Sequence, residues 1–526
     1  MSITSISFII FVICSVLLFM VFPKKYRWIS LLISSGVFYL LSDYRCAIFM
    51  LVSTFTVWIC GKGITKNFSG EEQQLKEITD KQEKKELKKK NKKIRKNYLL
   101  VALFVNIGLL IFFKAAKFWN IPVANFLIDK DTMSIVMPLG ISYYTFSVVG
   151  YLLDVYWKRY KCETNFLRFL GWAIYFPHIL QGPISRYNLL GAELRKELPL
   201  KWDNFKFGLE LVLWGCFKKL VVADRLSIYV NAVLYGEESW NILTTGIVGA
   251  VAMVFDALMI YTDFSGYVDI VTGISQMFGV KLERNFNRPF MSKTVPEFWR
   301  RWHMSLGSWF KDYVYYPISV SPVCKGLSKK LKGKVSDRII SIIVTLIPVM
   351  CTWILTGLWH GTGTGYLMWG IYYGTLIALS VLFTPQVVAF QNKCKINTET
   401  LSWRIFQRIK IFCIFMGGRL LGNPLGITTR IHILSCIVKD FLRGRWWSDA
   451  VYSYGLNKNN FRIIGFSAIL LIIVALLQEK GSIREMLDRQ DFIVKVIVLT
   501  IGVYIVFLLG VYGTQYNVGS FMYQQF

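Results

Sequence analysis

Apolar stretches recur along the whole chain, separated by short polar links: Ser5–Phe22, Trp28–Leu41, Cys46–Ile64, Tyr98–Phe113, Ile242–Ile260, Ile339–Leu358, Tyr366–Phe383, Phe461–Leu477 and Val494–Leu509. Each approaches or reaches the roughly 17–25 residues that a helix needs to cross about 30 Å of hydrocarbon. Met133–Tyr156, Phe166–Gln181, Phe205–Val222 and Ile405–Phe415 are shorter or more polar. The pattern predicts an all-α polytopic membrane bundle of about 10–13 transmembrane helices, with re-entrant or interfacial pieces among them. Ser5–Phe22 follows no positively charged segment and precedes no small-residue cleavage site, so it is expected to stay as a first span.

Composition agrees with that class. Hydrophobic residues make up 54% of the 526 and aromatic residues 16%, and the mean hydropathy is +0.44. A formal charge of +29 would suggest nucleic acid in a soluble protein, but its distribution excludes that partner. The run KQEKKELKKKNKKIRK at Lys81–Lys96 stands directly before an apolar stretch, as the positive-inside rule places a cytoplasmic loop. Three spans precede it, so the basic link Lys24–Arg27 falls on the same side. This gives three zones: N-terminal transmembrane helices over 1–64, a basic cytoplasmic linker over 65–97, and a core with C-terminal transmembrane helices over 98–526. The expected location is the cell membrane, in contact with lipid. Ten scattered cysteines without a Cys-x-x-Cys pair read as buried thiols.

The central zone departs from a plain bundle. Met137–Gly140, Gln181–Arg186, Tyr261–Tyr267 and Gly357–Gly363 interrupt apolar segments with polar, glycine and proline residues. Such backbone must face protein or a water-filled cavity, which implies a polar tunnel between helices.

Four histidines occur: His178, His303, His360 and His432. His303 lies in KTVPEFWRRWHMSLGSWFKDY, where Thr294 and Glu297 have capping-box spacing and Pro296 sits in the first turn. A helix from about Val295 is predicted, carrying His303 beside a stripe of Trp299, Trp302, Leu306, Trp309 and Tyr313, with Arg300 and Gly307 one turn to either side. His360 closes an apolar run and is surrounded by Gly357, Gly361, Gly363 and Gly365, and an ionisable group at such depth marks a functional site. A neutral imidazole can take the proton of an alcohol as it attacks a thioester carbonyl, and burial favours that neutral form. His178 and His432 read as structural. No His-x-x-x-His or Cys-x-x-Cys spacing supports a metal, and the glycine run lacks the Lys-Ser/Thr pair of a phosphate loop.

At these residues the chain resembles the membrane-bound O-acyltransferase family, in the bacterial branch of the alginate O-acetylation protein AlgI and more distantly the branch that transfers D-alanine. The matching stretches are MPLGISYYTFSVVGYLLDVY at Met137–Tyr156, FPHILQGPISRY at Phe176–Tyr187, YTDFSGYVDIVTGISQMFGVKLERNFNRPF at Tyr261–Phe290, EFWRRWHMSLGSWFKDYVYYP at Glu297–Pro317, LTGLWHGTGTGYLMWGIYYG at Leu355–Gly374 and the tail FMYQQF. One departure is that Pro317 is followed by Ile318-Ser319-Val320-Ser321 where Leu-Gly-Gly is common in that branch.

The resemblance implies an enzyme in which His360 and His303 are catalytic and Asp263, Ser265, Asn285, Asn287, Arg300, Arg301, Trp302 and Trp359 line the tunnel. It implies no bound cofactor and an acyl donor that is acetyl-CoA or an acyl-carrier thioester. The acceptor would be a polysaccharide or other cell-envelope polymer, served by an extracytoplasmic SGNH-type acyltransferase partner. D-alanyl transfer to teichoic acid is an alternative. On the residues alone a membrane transporter also stays open, since broken helices around a cavity suit that class.

Overall fold

The computed structural model describes residues 3–119, 127, 136–235, 245–361, 363–422 and 427–512. The tail motif FMYQQF, Thr362 and the beginnings of the stretches at 133 and 242 lie outside the described residues. The described residues are helical and contain no strand, only an isolated bridge between Lys332 and Val335. The chain divides into two compact units, 1–208 with 274–283 and 209–273 with 284–526.

The first unit contains α1 (Ile6–Val21), α2 (Arg27–Asp43), α3 (Ala47–Glu77), α4 (Lys81–Trp119), α5 (Ile141–Tyr156) and α6 (Phe166–Ala173). Ser5 caps α1 by accepting from the Phe8 amide at 3.2 Å. The stretch expected as a linker is helical: α3 and α4 run on past their apolar parts and only residues 78–80 join them. Within the membrane-spanning parts Ser53 donates to Asn106, a polar pair of the sort that holds helices together where hydrophobicity gives no preference. His178 is buried with its Nε2 3.0 Å from the Trp172 carbonyl, the structural role read from its neighbourhood.

The second unit is built on most of α7 (Trp202–Cys216), α8 (Asp224–Val230), most of α9 (Gly246–Met277), α10 (Val295–Arg301), α11 (Met304–Phe310), α12 (Asp337–His360), α13 (Thr364–Lys393), α14 (Leu401–Gly422), α15 (Ile427–Leu442), α16 (Lys458–Leu477) and α17 (Phe492–Leu509). Among the described residues seven helices are long and apolar enough to span a membrane, with Ile6–Val21 as a shorter apolar helix. Their outward faces carry rows of exposed Ile, Leu, Val and Phe, as on α17. Cys14 and Cys413 share those exposed faces, whereas Cys46 and Cys60 are buried as expected.

The hairpin of α12 and α13 positions His360. Its helices touch through backbone: a Cβ on Gly357 would stand 2.4 Å from the Tyr366 carbonyl oxygen, and one on Gly370 2.5 Å from that of Trp353. Only hydrogen fits at either place. Gly370→Val should therefore lower stability by about 1–3 kcal/mol through overpacking, seen as a reduced thermal midpoint of the solubilised protein. Gly465→Ala on α16, where a Cβ meets open space, should raise the midpoint slightly, since it only removes the entropy cost of a helical glycine.

Candidate active site

The capping signal at Thr294 is realised, since its side chain accepts from the Glu297 amide at 3.3 Å and Glu297 Oε2 accepts from the Lys293 amide at 2.8 Å. The helix it starts is shorter than the stripe predicted. It ends at Arg301, Trp302 is extended (φ −109°, ψ 128°), and His303 takes the left-handed conformation (φ 46°, ψ 53°) before α11 begins. Arg300, His303 and Gly307 thus do not share one helical face. The cause is a competing partner for the backbone: the Met304 amide donates to the Asn285 carbonyl at 2.9 Å and the Asn287 amide to the Arg301 carbonyl at 2.9 Å. A left-handed non-glycine residue costs roughly 1–3 kcal/mol and persists only where its surroundings over-determine it.

The Asn285 side chain completes the fixation. Its Oδ1 accepts from the Ser305 backbone amide at 3.1 Å and from the Ser305 hydroxyl at 2.9 Å, and lies 3.2 Å from His303 Nδ1. A backbone N–H can only donate, so this Asn285 atom is the oxygen, and His303 Nδ1 must carry the proton. Nε2 then holds the lone pair. Burial pushes the His303 pKa down to about 3, because the charged imidazolium would lose its hydration. The ring is neutral at physiological pH in a single tautomer. Asn285 Nδ2 is buried and makes no hydrogen bond among the described residues.

Aromatic rings frame both histidines. Phe264 meets the His303 ring at 4.8 Å and 86°. The Trp359 ring contacts both imidazoles, 6.2 Å from His303 and 4.8 Å from His360. Trp369 also meets His360, at 5.0 Å, and packs on Trp299 at 5.5 Å. His360 is the last residue of α12, and its 8% exposure against 3% for His303 leaves it the more accessible of the two. Trp302 packs with Phe298 and Phe415 and connects through Phe286 to Phe264.

The remaining sequence-picked residues divide. Asn285, His303, Trp359 and His360 come together. Arg301 pairs with Glu297 at 2.6 Å, while Arg300 is exposed on α10. Asn287 contributes its backbone to the turn clamp. Asp263 and Ser265 face buried lysines: Lys219 Nζ lies 2.7 Å from Asp263 and 2.8 Å from Asp224, and Lys218 Nζ 3.0 Å from Ser265 and 2.6 Å from Asp269. Sequence reasoning passed over Lys218 and Lys219, although two cations inside the apolar run GCFKKLVVA carry a signal of their own. They occupy a π-helical turn, Phe217–Ala223, of the kind found at functional positions. Nothing in the sequence pointed to Phe264 or Ser305 individually. His432 Nε2 lies 3.6 Å from Cys436 Sγ on α15.

A profile of the membrane-bound O-acyltransferase family matches residues 163–425, half of the chain. The chain is 27% identical to a probable alginate O-acetylase of Pseudomonas syringae pv. tomato over 400 residues, which cover 75% of this chain and 67% of that one. It is 29% identical to the peptidoglycan O-acetyltransferase of Helicobacter pylori over 63% of each chain, and 28% identical to the teichoic acid D-alanyltransferase of Bacillus subtilis over 45% of this chain and 58% of that one. The matches span about two thirds or less of the length of these relatives. His303, Trp359 and His360 all lie inside the matched segment, and the chain belongs to the membrane-bound O-acyltransferase family.

Proposed function

We propose that this protein moves an acetyl group from a cytoplasmic thioester, acetyl-CoA or an acyl-carrier thioester, to a hydroxyl of a cell-envelope polysaccharide, with an extracytoplasmic SGNH-type acyltransferase as partner. The observation that carries the reading is the pair of buried imidazoles that share Trp359 as a neighbour. The relatives' names, an alginate O-acetylase and a peptidoglycan O-acetyltransferase, favour acetyl over D-alanine and a glycan over other polymers.

The two histidines suit different tasks. A general base works best with a pKa near the operating pH. His303, held near 3 by burial, is too weak for that work, but its Nε2 lone pair can accept the hydroxyl proton as a hydrogen bond and aim the oxygen. His360 is the base. As the hydroxyl oxygen bonds to the thioester carbonyl carbon, its proton passes to His360. When the carbon–sulfur bond breaks, that proton goes to the departing thiolate. Arg300 and Arg301 supply positive charge for anionic parts of the donor. A protein that only carried solute would move it without forming ester.

His360→Ala should reduce transfer of labelled acetyl from thioester to acceptor by about 100-fold or more, the usual range for losing a general base, with membrane expression unaltered. Unchanged turnover would reject the assignment. Asn285→Asp should raise the His303 pKa, because a carboxylate beside Nδ1 stabilises the imidazolium. The expected signature is a new acid-side fall in activity together with a His303 titration visible by NMR.

The wild-type ring predicts a stability effect as well. Its folded pKa of about 3 lies below the value of about 6.5 for an unfolded histidine. The unfolded chain therefore binds the extra proton first, and stability falls as pH drops from about 6.5 towards 3. His303→Gln should flatten that slope in a denaturation series.

A further inference from the structure

We propose that the basic helical arm formed by the end of α3 and the first half of α4 docks a soluble protein presenting an acidic helical face, on the side that the positive-inside rule assigns to the cytoplasm.

The arm is a built element rather than a solvated link. Asn67 Nδ2 donates to Asn91 Oδ1 at 2.9 Å, and Arg95 donates to Asn67 Oδ1 at 2.9 Å and pairs with Glu71 at 2.7 Å. The Arg95 guanidinium lies 4.0 Å over the Phe68 ring, and Asp80 caps α4 by accepting from the Glu83 amide at 3.0 Å. With Asn91 and Arg95 turned inward against α3, α4 presents Lys81, Lys85, Lys88, Lys92 and Lys96 outward. Their spacing of 4, 3, 4 and 4 residues makes one continuous stripe, and exposed Lys89 and Lys93 stand beside it. Residues 81–96 hold nine lysines and one arginine against two glutamates, a net +8.

Two physical points select a protein partner over the membrane. The apolar part of α4 starts at Tyr98, so at 1.5 Å per residue Lys85 and Lys81 stand about 20 and 25 Å beyond it along the axis. A headgroup layer of roughly 5–8 Å and a Debye length of about 8 Å fall short of them. Lys92 and Lys96 lie near enough to serve lipid and orientation, and the outer half of the stripe serves neither. The second point is local. Lys81 with Lys85, Lys85 with Lys89, Lys88 with Lys92 and Lys92 with Lys96 are like charges one turn apart, which destabilise an isolated helix. An acidic face laid along the stripe removes that repulsion and gains the attraction.

The test uses the full-length protein in phosphatidylcholine nanodiscs. The probes are two soluble helical peptides of equal composition, one with glutamates on a single face and one with them spread around the helix. The patterned peptide should bind at least tenfold tighter, and joint substitution of Lys81, Lys85, Lys88, Lys92 and Lys96 by Gln should remove that margin while leaving the thermal midpoint unchanged. Equal binding of the two peptides overturns the proposal. In cells, a photo-crosslinker at Gln82 should attach to a soluble acidic protein whose purified form binds wild type and not the five-Gln variant, with affinity falling as salt rises. Adducts confined to phospholipid or nucleic acid, binding that survives the five substitutions, or no adduct at all overturn it as well.

Discussion

Three donors converge on one oxygen, Asn285 Oδ1: the Ser305 amide, the Ser305 hydroxyl and His303 Nδ1. This contact does three things at once. It ties the turn after α10 to the segment before it, it helps to hold His303 in a backbone conformation that only an over-determined setting maintains, and it decides which ring nitrogen keeps the lone pair. The left-handed turn and the tautomer thus share a residue: the Asn285 carbonyl binds the backbone of the turn and the Asn285 side chain binds the ring. A histidine at the same place in a continuous helix would project from the face of Arg300 and Gly307, and its protonation site would be set by chance encounters.

Much of this architecture is legible in the sequence, and the rest fails for identifiable reasons. Apolar stretches of spanning length gave the helices, and the Thr294–Glu297 spacing gave the start of α10. The 3-and-4 stripe of tryptophans then misled, because periodicity registers which side chains are apolar and not whether the backbone between them finds a better partner. Here that partner is Asn285 to Asn287, 14 to 19 residues upstream, and non-local pairing leaves no periodic trace. The charged stretch between the third and fourth spans shows no apolar stripe that would announce a helix, yet it continues α3 and α4, and a short tie of Asn67, Phe68, Asn91 and Arg95 holds the two together.

In the sequence, His360 stands out as an ionisable group closing an apolar run among glycines, and His303 as an imidazole beside a stripe of tryptophans. Asp263 and Ser265 were readable as special, but their neighbours were not. An ionisable residue in an apolar segment demands a partner, and the sequence does not say which. The answer lies about forty residues earlier, in the two lysines of the π-helical turn.

That charge cluster explains how α9 delivers Phe264 to His303. Lys218 and Lys219 face Asp224, Asp263 and Asp269, so the five groups nearly neutralise one another. Apolar residues of equal volume can stabilise a buried contact as well as ions do, but they tolerate sliding, whereas an unmatched buried charge does not. Successive helical residues turn by about 100°, so Asp263 and Ser265 flank Phe264 on either side of its own direction. With both flanks fixed to consecutive lysines, neither rotation of α9 nor a one-residue slip keeps the pairs intact. Phe264 is left with a single position, edge to face with the imidazole at 4.8 Å. The ion pairs thus act on the chemistry at one remove: they set the wall against which a neutral His303, already restricted in backbone and tautomer, is held.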